Sequence, residues 1–569
     1  MADIRSGGKV LPFRQDADFY ISRGDEKRDG NDLAGAIRHY RQAFERDPYD
    51  SNACFALCEA LNRIRRFEES NRILMVFMAM CEPVTEFYYG ISCNYFGMGE
   101  FALAAEAAEA YLSIDPEGMF ADTAEEMLSV MEDEDELAES AGMYPGEKPL
   151  TLMVCSRARQ MQSAGDTDMA EEMLQQYLLQ QGDAWRAKLA LAELKLEKGS
   201  YARATELIWD VLQQDPDNEM ARVVYIHSLV REKRTEEAET ELDRLLKKKV
   251  SDPDLLAAAA RLLAETGRLE QAKETALSAM RDLPCDEALT HLYAVLCHLT
   301  GDDESAKRCY LDLSSADPDD TVAAYYLSEL GAGNDAKKIW PFEYRVSLPE
   351  TAKRLAEVER LLEKERPDAL EQWTCGPDAA RLLKWALGIA DPETRGRILM
   401  FLGRMGDSRA ERMLRDYLLR TDQPDRLKQA VFAVLGRMNA PQPYMAYLGG
   451  QWVEGHISEA EIPEDTPKAY RNVLERTVQS LEEDPVSEPA RKFASVILRE
   501  YLISCAGDYP RISAKQETAL AGALELYARG LAEHPVSEEE ICDRYGITRT
   551  RLNHAMLKLL PAFHMEEED

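Results

Sequence analysis

Between Arg72 and Lys148 the sequence has no lysine, arginine or histidine. The 75 residues from 73 to 147 hold 17 acids, nearly half of the formal charge of −36 on this 569-residue chain. With 104 acids against 68 bases, wholesale attraction to nucleic acid or anionic membrane is excluded, and any such contact must be local. Long apolar runs are missing too. The longest, residues 73–81, is far short of the ~20 residues a membrane-spanning helix needs, and residues 1–14 hold no stretch of signal-peptide length. The eleven cysteines are odd in number and lack regular pairing, which suits buried free thiols in a reducing compartment. A cytoplasmic protein is expected. Also absent are a Gly-rich phosphate loop ending in Lys-Ser/Thr, a Gly-x-Ser-x-Gly elbow and a His-Glu-x-x-His pair. Cys54 and Cys58 stand four apart on one helix face, but no matching Cys or His pair with zinc-site spacing lies nearby, so packing is preferred to a metal. Cys285, Cys297 and Cys309, with His291 and His298, raise the same question and receive the same answer. Lacking a nucleophile, a base and a cofactor loop, the chain is not expected to be an enzyme, and no catalytic residue, cofactor or metal is assigned.

What is present is a period. Gly165, Gly199, Lys233, Gly267 and Gly301 stand 34 residues apart, each followed five residues later by an alanine: Ala170, Ala204, Ala238, Ala272 and Ala306. Seventeen residues after three of them stand Pro216, Pro284 and Pro318. Glycine accommodates a sharp bend between two helices, alanine permits their close approach, and proline stops the second helix. Larger residues recur in phase at Leu174, Ile208, Leu242 and Tyr310, then at Tyr177, Val211, Leu245 and Leu313. A fixed period of this length marks a solenoid of helix pairs. The pattern resembles the tetratricopeptide repeat, through its Trp-Leu-Gly-Tyr-Ala-Phe-Ala-Pro positions. Three more units on the same slots are expected within residues 17–139: Ala36, Tyr40, Ala43 and Pro48; then Leu61, Ser70 and Leu74; then Tyr88, Tyr95, Gly99, Ala104, Tyr111 and Pro116. A helix over 120–138 is expected to cover their open end.

The fold class is therefore all-α, with two such stacks, at 17–139 and 150–339, separated by a Pro- and Gly-rich turn at 142–149. The second degenerates at 330–334, and a connecting segment, 340–349, is expected to interrupt helix and seat against the preceding unit. Over 350–455 two copies of Leu-Gly-Arg-Met, at 402–405 and 435–438, resemble short HEAT-type repeats, the second copy with Asn439-Ala440-Pro441 in place of Gly-Asp. Over 466–564 the Ala-rich helix at 519–530 leads to Pro535-Val-Ser537, and Gly546, Ile547 and Thr548 stand between two short helices. Ser537 with Glu540 predicts a capping box. This end resembles a helix-turn-helix, and more broadly a cyclin-type repeat of the transcription factor IIB class.

Tetratricopeptide stacks are usually platforms for partners, and the resemblance places particular first-helix slots on the concave wall. In the first stack these include Phe55 and Glu59, with Asn52 and Asn62, then Glu86, Tyr89 and Phe96, with Cys93. Acids beside aromatics suit a basic, partly apolar peptide, although an acidic solvated face over core aromatics fits as well. In the second stack one slot reads Arg159, Glu193, His227, Arg261 and Val295, with Arg186, His291 and His298 beside it. This suits an acidic peptide or a carboxylate terminus; ordinary surface scatter is the other reading. At the terminal helix pair Arg549, Arg551 and Lys558, with His554, lie on one helix and could meet DNA, against the acids of Ser537-Glu-Glu-Glu540 and the acidic end at 565–569. The leading expectation is a non-enzymatic adaptor that holds peptide segments of partner proteins, one of them basic. The alternative is a transcription-linked regulator whose terminal module touches DNA or RNA polymerase.

Overall fold

Every 34 residues the backbone passes through a left-handed turn between two helices. Gly165, Gly199, Lys233, Gly267 and Gly301 have φ of 97°, 73°, 62°, 84° and 88°, and Asn31, Arg65 and Gly99 repeat the turn at 59°, 61° and 78°. A Cβ in this region crowds the following carbonyl oxygen, which is why glycine recurs. Lys233, Asn31 and Arg65 take the turn with a side chain in place.

The computed structural model describes residues 16–559 apart from 81–83, 134–136, 138–139, 141–142, 144–146, 249, 251, 333–339, 364–365, 439, 450, 456–465, 483–487, 506–508 and 533–535. The turn expected at 142–149 falls mostly, and the acidic end at 565–569 wholly, outside the described residues. Contacts divide the chain into two units: Met1–Phe401 with Arg415–Leu427 and Tyr447–Trp452, and Leu402–Leu414 with Lys428–Ala446 and Val453–Asp569.

The first unit opens with three helix pairs, Ala17–Asp29 with Leu33–Arg46, Ser51–Arg63 with Phe67–Met80, and Thr85–Met98 with Phe101–Ile114, followed by Ala121–Glu132. Five pairs come next: Pro149–Ala164 with Thr167–Gln180, Trp185–Glu197 with Tyr201–Gln214, Glu219–Arg231 with Thr235–Lys247, Pro253–Glu265 with Leu269–Ala279, and Glu287–Thr300 with Asp303–Ala316. Thr321–Gly331 ends the series. The periodic alanines Ala170, Ala204, Ala238, Ala272 and Ala306 are fully buried, as are Leu174, Ile208, Leu242 and Tyr310. A second period accompanies the first. Asn218, Asp252, Asp286 and Asp320, again 34 apart, accept first-turn amides at the starts of successive first helices. Each cap contributes about 1 kcal/mol; Ala184, in the same phase, has no side-chain cap.

The first stack closes onto the end of the second within this unit. Ala316 packs with Ala36, Ile37, Tyr40 and Leu57 in one apolar cluster, and Arg41 Nε donates to the Ala316 carbonyl at 2.6 Å. Beside this contact Arg41 and Arg66 both pair with Glu69 at 2.6 Å, and Arg66 reaches Glu287 at 3.0 Å. The two guanidinium groups hold the Glu69 carboxyl far below the usual carboxylate range despite its burial. Further along, Arg72 pairs with Asp416 at 2.9 Å and Glu68 accepts the Thr421 amide at 3.1 Å. The helices Leu348–Leu362, Arg366–Thr374, Asp378–Ile389, Pro392–Met405, Ser408–Leu419 and Asp425–Arg437 follow the array in sequence.

In the second unit the two Leu-Gly-Arg-Met copies touch: a Cβ on Gly403 would stand 2.5 Å from Val434 Cγ1. Pro441 and Pro443 end helix, and Tyr444–Leu448 pairs with Gln451–Gly455 as a hairpin whose residues the division shares between the two units, the one strand pairing among the described residues. This hairpin was not expected from the sequence. The helices Lys468–Glu482, Glu488–Ser504, Ala514–Leu531, Glu538–Tyr545 and Arg549–Leu559 complete the unit. Gly522 lets the last two helices approach, since a Cβ there would lie 3.1 Å from Ile541 and 3.2 Å from Ile547. The fully buried Glu525 binds Arg529 at 2.7 Å, Tyr545 at 2.6 Å and also Arg544. No described helix is long and apolar enough to cross a membrane.

Three stability changes are expected in urea unfolding of the full chain. Gly199→Ala costs about 1 kcal/mol at its left-handed turn, while Lys233→Gly gains about 0.5 kcal/mol, less because glycine also loosens the unfolded chain. Glu69→Ala leaves the largely buried Arg41 without a carboxylate and Arg66 with Glu287 alone, and costs about 3 kcal/mol; an unchanged midpoint would show that this ion-pair cluster contributes nothing.

Candidate functional site

Two sets of first-helix slots, here called the first and second wall, and one terminal helix pair carry the residues singled out by the sequence. On the first wall Phe55 lies against Phe87 at 6.3 Å and against Phe120 at 6.2 Å. Tyr89 stacks flat on Phe120, with ring centroids 4.4 Å apart and planes 7° from parallel. Phe120 stands at the start of the helix that follows the stack, a place read from the sequence only as a helix end. Its amide donates to Tyr111 Oη at 3.0 Å, and that bond brings the ring onto the wall. Phe96 meets Phe101 edge-on at 5.5 Å. Glu59 pairs with Arg63 one helical turn away at 2.9 Å, whereas Glu86, half-buried at the start of its helix, has no ion-pair partner among the described residues. Behind this wall a polar network runs through the core: Asn62 donates to Asn94, and Asn94 donates to Ser70 and Asn71, all within 2.9 Å.

The second wall is largely satisfied from within the chain. Arg186 grips Glu147 with two nitrogens, one of them at 3.1 Å, and both side chains are largely buried. At the other end the non-helical segment 340–346 lies against the first helices of the last repeats. Its Pro341 carbonyl accepts from His291 Nε2 at 2.9 Å, Glu343 pairs with Arg261, and Trp340 stacks on His298 at 4.0 Å. Phe342 packs among the residues of two repeat cores. Tyr326 Oη donates to the Arg345 carbonyl at 2.6 Å, and Tyr344 Oη donates to Asp320. His291 is therefore enclosed, not presented: no part of it is exposed, and its Nδ1 accepts from Tyr310 Oη at 3.0 Å. That pair of bonds requires the neutral ring protonated on Nε2. Arg261 also holds Glu265 at 3.0 Å. His227 is half-buried, and burial lowers its pKa. Arg159 alone of the expected cations is exposed with no ion-pair partner among the described residues. It opens onto a cavity of about 710 Å³ whose charged walls include Arg65, Arg66, Glu68 and Asp254.

On the terminal pair Ser537 Oγ accepts the Glu540 amide at 3.2 Å and Gly546 turns left-handed at φ 61°. A full reciprocal box forms earlier, at Ser513 and Gln516. Ile541, Leu552 and Ala555 are buried. Arg549, one of three cations expected to face DNA, is engaged by Glu538 at 2.6 Å. Arg551 and Lys558 are exposed without such a partner among the described residues.

Comparisons with known proteins agree with these repeats. Family models described as tetratricopeptide repeat match residues 85–117, 157–219 and 195–262. The chain carries tetratricopeptide repeats, and proteins built on them are generally protein-interaction scaffolds, typically without catalytic activity. Similar in sequence is the TPR repeat-containing protein YvcD of Bacillus subtilis (strain 168), 23% identical over 218 residues that make up 38% of this chain and 44% of the relative. The chain thus spans less than half of that protein's length. Among solved structures, a tetratricopeptide repeat protein from Parabacteroides merdae ATCC 43184 is 14% identical, over 56% of this chain and 100% of that one, with a TM-score of 0.29. The APC/C hetero-tetramer Cut9-Hcn1 is 11% identical over 95% of this chain and 96% of that one, with a TM-score of 0.28. Likeness at these scores carries no weight for this chain.

A pH dependence follows from His291. Burial depresses its pKa to about 4, below the ordinary 6.5, while the Pro341 carbonyl pulls the other way. Between these values the unfolded chain binds a proton that the folded chain refuses, so stability falls as pH drops from 6.5 towards 4. The loss amounts to about 3 kcal/mol. In urea titrations at pH 7 and pH 4, His291→Gln is expected to remove that part of the slope; an unchanged slope would mean that His291 titrates normally.

Proposed function

We propose that the protein is a non-enzymatic scaffold that holds extended segments of partner proteins on its concave walls. One observation supports this reading: the first helices of the last repeats already hold a non-helical stretch of the protein's own chain. Over 340–346 a backbone carbonyl rests on His291, a carboxylate on Arg261 and an aromatic ring among the first helices. The wall is thus chemically suited to a peptide bearing a carboxylate and an aromatic side chain. The stretch left for a partner is the end near Arg159 and His227, which suits an acidic segment. The first wall, with Glu86, Tyr89 and Phe120 in a window without a single base and Phe55 against Phe120, suits a basic segment with an apolar side chain.

The test is selection from a displayed random peptide library on the immobilised full chain. Wild type is expected to enrich two peptide classes, one basic and one acidic with an aromatic residue. Glu86→Lys should lose the first class and Arg159→Glu the second, each by at least tenfold in recovered clones, with far-UV circular dichroism unchanged. Recovery of both classes by both variants would place binding elsewhere and defeat the reading.

A further inference from the structure

The second unit has a pocket that the scaffold reading does not use. It lies between the helices Ala514–Leu531 and Arg549–Leu559, with a volume of about 240 Å³. Ala519, Leu520 and Ala555 form a buried apolar floor. Around the opening stand Lys515, Arg551, His554 and Lys558, and no acid among the described residues lines the site. Lys515, Arg551 and Lys558 are exposed and pair with no carboxylate among the described residues; His554 Nδ1 bonds only the Thr550 carbonyl, at 3.0 Å. On a chain with a formal charge of −36, an acid-free ring of four such side chains is a strongly local departure. By contrast Arg549, two residues from Arg551, is paired with Glu538.

We infer that this pocket is a docking site for an acidic protein segment carrying one large apolar side chain. The apolar side chain fills the floor, and flanking carboxylates meet Arg551, Lys558 and Lys515. The dimensions favour this occupant. Pockets for whole small-molecule ligands run from about 300 Å³ upwards, so this one takes a single side chain. A buried apolar anchor within a polar rim is also how protein interfaces concentrate affinity. Duplex DNA would meet the rim cations with its phosphates and leave the apolar floor uncovered. Opposite charge across the contact supplies steering and register. This site is built from residues of the second unit alone, so it does not depend on the scaffold reading of the array.

The test uses the full chain and fluorescence anisotropy with three fluorescein-labelled probes. They are the peptide Glu-Asp-Glu-Phe-Asp-Glu-Leu-Glu-Asp, the same peptide with serine for phenylalanine and leucine, and a duplex of 20 base pairs. The anchored peptide is expected to bind at least tenfold more tightly than the serine version and more tightly than the duplex. Arg551→Glu with Lys558→Glu should weaken it at least tenfold, and Lys515→Glu, on the other helix, should weaken it too. All three residues are exposed, and far-UV circular dichroism checks that the variants fold. All of these measurements are made in the Arg159→Glu background, which removes the acidic-peptide site proposed on the array. The inference is overturned if the anchored peptide fails to bind at concentrations up to about 1 mM, or binds no better than the serine version. It is overturned equally if only the duplex binds and loses affinity with the pocket variants, which would assign this face to nucleic acid.

Discussion

A pair of helices this short has two apolar sides and can bury only one of them by itself. The first unit follows from that constraint. Small residues at Ala170, Ala204, Ala238, Ala272 and Ala306 let the helices of each pair meet, and the bulk at Leu174, Ile208, Leu242 and Tyr310 fills the seam to the next pair. Each repeat thereby creates a new uncovered face, and the array is stable only where something ends it. Two endings are visible. Ala316 is covered by the first repeat of the chain, through Ala36, Ile37 and Tyr40. The core around Tyr310 and Tyr326 is covered by Trp340 and Val346 of the non-helical segment.

Those endings explain the charges on the walls. A cation on a first-helix slot looks like a receptor when only the sequence is known. In the structure Arg186 and Arg261 are answered by Glu147 and Glu343, glutamates from the non-helical segments at either end of the array. A partly buried guanidinium without a partner costs several kcal/mol, so an array that shields such residues must supply carboxylates for them. The pairing in cis narrows the open part of the second wall to the neighbourhood of Arg159.

The second unit depends on a different device. Glu525 is wholly buried and is neutralised by Arg529 and Arg544, with Tyr545 as a further donor. The helix Glu538–Tyr545 is thereby tied to Ala514–Leu531 through charge as well as through the close approach at Gly522. That attachment positions Arg549–Leu559 against the same long helix and creates the acid-free pocket between them. The three cations marked on the last helix separate by environment: Arg549 has its carboxylate, whereas Arg551 and Lys558 face water and the pocket.

Repeat length, helix pairing and most core slots were legible in the sequence, because they rest on local rules repeated at a fixed spacing: a left-handed turn, a small residue, a bulky residue, a cap. The cap series Asn218, Asp252, Asp286 and Asp320 was equally regular and could have been read the same way. Less regular features escaped. Asn31 and Arg65 take the turn without glycine, Phe120 joins the first wall from a loop, and the hairpin at Tyr444–Gly455 follows two prolines in an otherwise helical stretch. His291 was placed on a wall by its slot, but 50 residues of chain separate it from the carbonyl that encloses it. The sequence by itself determined that helix pairs would stack, since that depends on spacing within one repeat. Only the tertiary structure decided which charges stay open to a partner, because burial and pairing are settled by residues far apart in the chain.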